Sequence, residues 1–85
     1  MVATNSYIID CDAGSGPVTV TLGVGTTWAF TRQLVRKSDA SANAITVTVQ
    51  TGEKLNGVTN GTHVVTNQYE TVEFISIGTD GWIIV

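Results

Sequence analysis

The 85 residues make one small domain (residues 1–85), a size at which folding buries only roughly 60–65% of the unfolded surface. Charged residues make up 13% of the chain and hydrophobic ones 42%, with a net charge of −3; this excludes a disordered tail, which combines low hydrophobicity with high net charge, and a basic nucleic-acid footprint. One cysteine and one histidine exclude an intrachain disulfide and a four-ligand structural zinc, which leaves oligomerisation as the remaining aid to so small a core.

In chain order, Tyr7-Ile8-Ile9-Asp10-Cys11 reads as a first strand, followed by the turn-rich residues 12–17. Residues 18–22 alternate cleanly, with Val18, Val20 and Leu22 on one face and Thr19 and Thr21 on the other. Residues 23–27 are a flexible connection. Residues 28–36 form a third strand whose phase requires a bulge near Arg32 or Gln33 to turn Val35 inward. Arg36-Lys37 is read as a solvated strand end, and residues 38–43 as a polar turn. Residues 44–50 face Ile45, Val47 and Val49 inward and Thr46 and Thr48 outward. Glu53-Lys54-Leu55 is a short edge. Asn56-Gly57 and Asn60-Gly61 supply hairpin-type turn residues, but lie too close together for both to close long hairpins. Residues 62–65, 71–77 and 82–85 are the last strands, with Asp80-Gly81 as the final turn.

No helical period persists over eleven residues, and no internal repeat is apparent. The expected fold is therefore all-β, a small antiparallel β-sandwich or barrel of about seven or eight short strands. Its core is expected to contain Ile8, Val20, Leu22, Val47, Val49, Val72, Phe74 and Trp82. No apolar run approaches the eighteen residues of a membrane span. The first six residues have neither a basic nor an apolar leader segment, so assembly in a cytoplasm is expected.

The chemistry-bearing residues are few. His63 has no nucleophile or orienting acid in a recognisable pattern and reads as a surface or interface histidine. Cys11 has no CxxC partner and no basic neighbour, so it reads as a small, half-buried hydrophobe. Asp10 and Asp12 alternate as calcium ligands do, but no glycine-centred loop or distal glutamate completes a site. Gly14-Ser15-Gly16 and Gly23-Val24-Gly25 precede no helix and are turns rather than phosphate loops. Asn60-Gly61-Thr62 matches the glycosylation pattern, and Trp28, Tyr69 and Trp82 are the rings that could stack on a sugar. The expectation is no enzymatic activity, no cofactor and no metal.

Residues 71–77 carry apolar side chains on both faces, with Val72 and Phe74 on one and Ile75 and Ile77 on the other. Ile83 and Val85 alternate with Trp82 and Ile84 in the same way. A strand that is apolar on both faces is covered by a second layer or by another subunit. Ile75, Ile77, Ile83 and Val85 are thus the candidate oligomer interface. The fourteen threonines, with serine and asparagine, keep the rest of the surface wet without charge.

Three stretches carry a family resemblance: Gly16-Pro17-Val18-Thr19-Val20-Thr21-Leu22; Arg36-Lys37-Ser38-Asp39-Ala40-Ser41-Ala42-Asn43-Ala44-Ile45-Thr46-Val47; and Gln68-Tyr69-Glu70-Thr71-Val72 with Gly81-Trp82-Ile83-Ile84. In this order they resemble the small β modules of tailed-bacteriophage virion proteins, found in tail-fibre C-terminal parts and in short capsid decoration or cement proteins. Leu55-Asn56-Gly57 departs from the isoleucine-aspartate-glycine turn of such modules, and His63 from their common aromatic residue. The resemblance implies a homotrimer within the virion, assembled in the host bacterial cytoplasm. Its partners would be other copies of itself and virion proteins such as the major capsid protein, with no nucleic acid and no membrane. With its own initiator methionine and no shaft or attachment domain, the chain is expected to be a complete decoration or cement protein. The alternative is a tail-fibre or receptor-binding module for a host surface glycan, presenting residues 23–27, 38–43 and 58–62.

Overall fold

The computed structural model describes residues 6–24 and 31–85, and the rings of Trp28 and Phe30 lie outside them. Nine strands are present among these residues: β1 Ser6–Cys11, β2 Val18–Thr21, β3 Arg32–Lys37, β4 Ile45–Thr48, β5 Lys54–Leu55, β6 Val58–Thr59, β7 Thr62–Val65, β8 Thr71–Ser76 and β9 Trp82–Ile84. A single 3₁₀ turn at Gly78–Asp80 is the helical content of the described residues. The strands form a six-stranded sheet in the order β1-β3-β8-β9-β5-β6 and a three-stranded sheet, β2-β4-β7. The fold is the expected small all-β one.

The sheets are mixed rather than purely antiparallel. β1 runs parallel to β3, with Ile8 on Leu34 and Ile9 on Val35. β2 runs parallel to β4, with Val18 on Ile45 and Val20 on Val47. The physical reason is connectivity: residues 12–17 do not close a hairpin but carry the chain across to the other sheet, and a strand that returns after such a crossover arrives parallel. The chain thus winds two stacked coils, β1 to β2 and then β3 to β4. A sequence repeat accompanies them, against the expectation of none. Asp12-Ala13 recurs as Asp39-Ala40, and Thr19-Val20-Thr21 as Thr46-Val47-Thr48. The remaining strands join antiparallel, β7 to β4, β8 to β3 and β9 to β8.

The turns follow their chemistry. Asn56 and Gly57 take φ of 50° and 79° between β5 and β6, the left-handed pair that a two-residue hairpin needs. Asn60, at φ 56°, closes a loop instead, and its Oδ1 accepts the Gly52 N–H at 2.7 Å. Gly81, at φ 83°, passes so close to the Lys54 backbone that a Cβ would lie 2.2 Å from the Lys54 carbonyl oxygen.

Ala13, Leu22, Val35, Ile45, Val47, Val49, Leu55, Val65, Phe74 and Trp82 form the buried core, with Val20 and Val72 partly buried against it. Trp82 also donates its indole N–H to the Gly23 carbonyl at 3.0 Å. Ile8 does not belong to the core, being 69% exposed. Its neighbour Ile9 packs inward instead, because pairing with β3 places Ile9 beside Val35. The expected bulge is also missing: Arg32 to Arg36 pair continuously with β8. Gln33, Val35 and Lys37 all point inward, and the strand keeps its phase by burying two polar residues.

Candidate interaction surface

The two faces of the larger sheet differ sharply. Toward the core lie Val35, Val72, Phe74 and Trp82. On the other face, strand register sets Ile8 beside Leu34, Leu34 beside Glu73, Arg32 beside Ile75, and Ile75 beside Ile83. Val85 follows, its N–H bonded to the Glu73 carbonyl at 3.0 Å. Ile75 and Ile83 are half-buried, while Ile77, at the start of the turn, is 39% exposed and Val85 70%. Three of the four expected interface residues therefore share one outer face. Ile77 stands at its end, outside the strand.

The sequence reading missed Ile8 and Leu34, which widen this apolar surface. The sequence repeat does not place them: Asp12 to Asp39 and Thr19 to Thr46 are 27 residues apart, which would set Ile8 on the inward Val35, whereas β1 pairs with β3 at a spacing of 26 and sets Ile8 beside Leu34.

The charges on this face pair off locally. Arg36 Nη1 reaches Asp10 Oδ1 at 2.9 Å and Arg32 Nη1 reaches Glu73 Oε2 at 3.6 Å. The Arg36 guanidinium also lies 4.7 Å from the centre of the Tyr69 ring, within the range of a cation–π contact. Each of these two pairs is neutral, so a partner covering Ile8, Leu34 and Ile75 meets charges that are already partnered, while the exposed Lys54 lies farther along the sheet on β5.

Lys37 is not a solvated strand end. It is fully buried, and its ammonium donates to Asp39 Oδ2 at 2.7 Å, the Asp39 carbonyl at 3.0 Å and the Ser41 carbonyl at 2.7 Å. All three of its protons are used. Asp39 in turn accepts from the Ala13 N–H at 2.7 Å, the Ser41 N–H at 3.0 Å and the Ser41 hydroxyl. The Lys37 ammonium, followed by the Ser41 hydroxyl and the two amides, holds the Asp39 carboxyl well below the usual carboxylate range, against the opposing effect of burial. This cluster fastens residues 38–43 to the first coil and leaves no free charge for chemistry.

The other sequence candidates lie apart. Asp10 faces outward against Arg36, whereas Asp12 accepts the Gly14 N–H at 2.8 Å in a local turn. Among the described residues, no three His, Cys, Asp or Glu side chains gather where a metal ion could sit. Cys11 is half-buried, and burial, then Asp10, pushes its thiol pKa up. His63 is not a surface residue but half-buried on the core side of β7, with its ring edge-on to Phe74 at 6.2 Å. Trp82 is too deeply buried to stack on a sugar.

Among the described residues, no helix is long and apolar enough to cross a membrane. Compared with protein-family models, curated proteins and solved structures, the chain matches none.

Proposed function

We propose that the chain is a non-enzymatic structural protein of a tailed-bacteriophage virion, a capsid decoration or cement protein that assembles as a homotrimer against the major capsid protein. The observation that carries this reading is the outer face of the larger sheet, where Ile8, Leu34, Ile75, Ile83 and Val85 lie together with charges already neutralised in pairs. Covering that face returns about 25 cal/mol for each Å² of apolar surface removed from water. The number three comes from the resemblance to virion β modules. A trimer of this kind would add contact area to a capsid and reinforce it against internal pressure.

The glycan-binding alternative has less support, because Trp82 is inside and one side of the Tyr69 ring is covered by Arg36. Sedimentation of the purified chain tests the trimer. The reading expects a mass that is a multiple of three 9.0 kDa chains, with the three-fold step lost in Ile75→Asp. A wild type that sediments only as single chains contradicts it.

A further inference from the structure

Among the described residues, the two coils leave one edge of each sheet unpaired. β1 and β2 are edge strands, each paired among the described residues only with the second coil. The Val18 N–H donates to the Ala44 carbonyl at 3.1 Å and the Leu22 N–H to the Thr48 carbonyl at 2.8 Å. Alternation along the strand therefore aims the N–H and C=O groups of Thr19 and Thr21 away from β4. In β1 the Cys11 carbonyl accepts from Ser38 at 2.8 Å, which by the same alternation aims the backbone of Ile8 and Asp10 away from β3. Among the described residues, both layers of the sandwich thus end in unfilled strand edges on the first coil.

Proteins usually blunt such edges with charges, proline, bulges or very short strands. The far edge of the larger sheet is blunted in this way, since β6 has two residues. β2 is not: Val18-Thr19-Val20-Thr21 has no charge and no internal proline, and it is in register throughout. We propose that this open coil edge, β1 and β2 together, is where a second copy of the chain adds strand to strand about a two-fold axis.

The chain itself displays what β2 accepts, namely the Ile-Thr-Val-Thr pattern of β4. The free edge of like pattern that a second copy offers is its own β2. A two-fold axis perpendicular to the sheets brings β2 against β2 and β1 against β1 at once, both antiparallel, as an isologous contact requires. Apolar residues then meet on the inner face and threonines on the outer. Setting Ile8 opposite Ile8 of the second copy places each Asp10 across from a Ser6. No carboxylates meet, and each Asp10 stays paired with its own Arg36 at 2.9 Å. The contact uses backbone groups at one end of the molecule and is independent of the outer-face contact proposed above.

The test separates the two contacts. Ile75→Asp removes the outer-face contact, and Thr19→Pro blocks the edge by replacing an N–H that points away from β4, a position where edge strands tolerate proline. Sedimentation should give two chains for Ile75→Asp and one for the double variant. Equal masses for those two proteins would overturn the edge contact. Equal masses for the wild type and Ile75→Asp, with Thr19→Pro still smaller, would instead overturn the outer-face reading alone. Amide exchange in unmodified protein gives a second readout should the proline variant fail to fold. The Thr19 and Thr21 amides should gain protection at least tenfold as concentration rises, while the Leu22 amide, bonded to Thr48, stays protected throughout. Free exchange of Thr19 and Thr21 at every concentration would overturn the proposal.

Discussion

Lys37 and Asp39 stand two residues apart at the end of β3, with the ammonium nitrogen 2.7 Å from the carboxylate and no exposure of the Lys37 side chain to water. The pair turns residues 38–43 into a fixed corner that also grips Ala13 of the first coil. Because folding depresses the Asp39 pKa, the unfolded chain binds its proton first, at the ordinary value of 3.8. Its contribution to stability is therefore complete above about pH 5 and is lost progressively as pH falls through 4 and below. Chemical denaturation between pH 2 and 6 should show this acid limb. Asp39→Asn should flatten it and should also lower stability at neutral pH, because a buried ammonium loses its counter-charge. An unchanged acid limb in the variant would refute this role for the pair.

Phe74 is fully buried beneath the ring of His63. Phe74→Ala should cost about 3–5 kcal/mol, enough to unfold much of so small a domain at 37 °C. Ile8→Ser, on the exposed outer face, should change the stability of single chains by no more than about 0.5 kcal/mol. Thermal melts of both variants at low concentration check this contrast, and a large loss from Ile8→Ser would mean that the phase of β1 is inverted.

Gly81→Ala should destabilise by more than about 1 kcal/mol, since it combines a left-handed backbone with a clash. The added methyl meets the Lys54 backbone, which cannot move without breaking the contact of β5 with β9. Gly57→Ala, also at positive φ but with open space around it, should cost less. Equal losses in the two variants would indicate that the close approach to Lys54 carries no weight.

The strands built from alternating threonine and valine were readable directly, because residues 18–22 and 44–50 leave only one phase that buries their apolar side chains. The inward Leu22, Val47, Val49, Phe74 and Trp82 follow from the same period. Ile8-Ile9 resisted that reading, since two adjacent apolar residues carry no internal phase and the choice between them is made by β3. Lys37 resisted it for a different reason. A buried lysine is stable only where acceptors converge on it, and two of its three, the Asp39 and Ser41 carbonyls, belong to the backbone of a turn whose shape the residue types do not specify. The parallel stacking was written in the recurrence of Thr-Val-Thr, a pattern common enough in β proteins to pass for composition. Of the apolar residues on the outer face, Ile75, Ile83 and Val85 follow from two-faced periodicity alone, whereas Leu34 was hidden by the bulge expected near Arg32 or Gln33.

The reading of the chain as a virion component is tested most directly by counting it in purified phage particles encoded with its gene, using quantitative mass spectrometry against the major capsid protein. The account predicts hundreds of copies per particle, in fixed proportion to the capsid protein. A few trimers per particle would move the chain to a tail fibre, and its absence from intact particles would contradict the account.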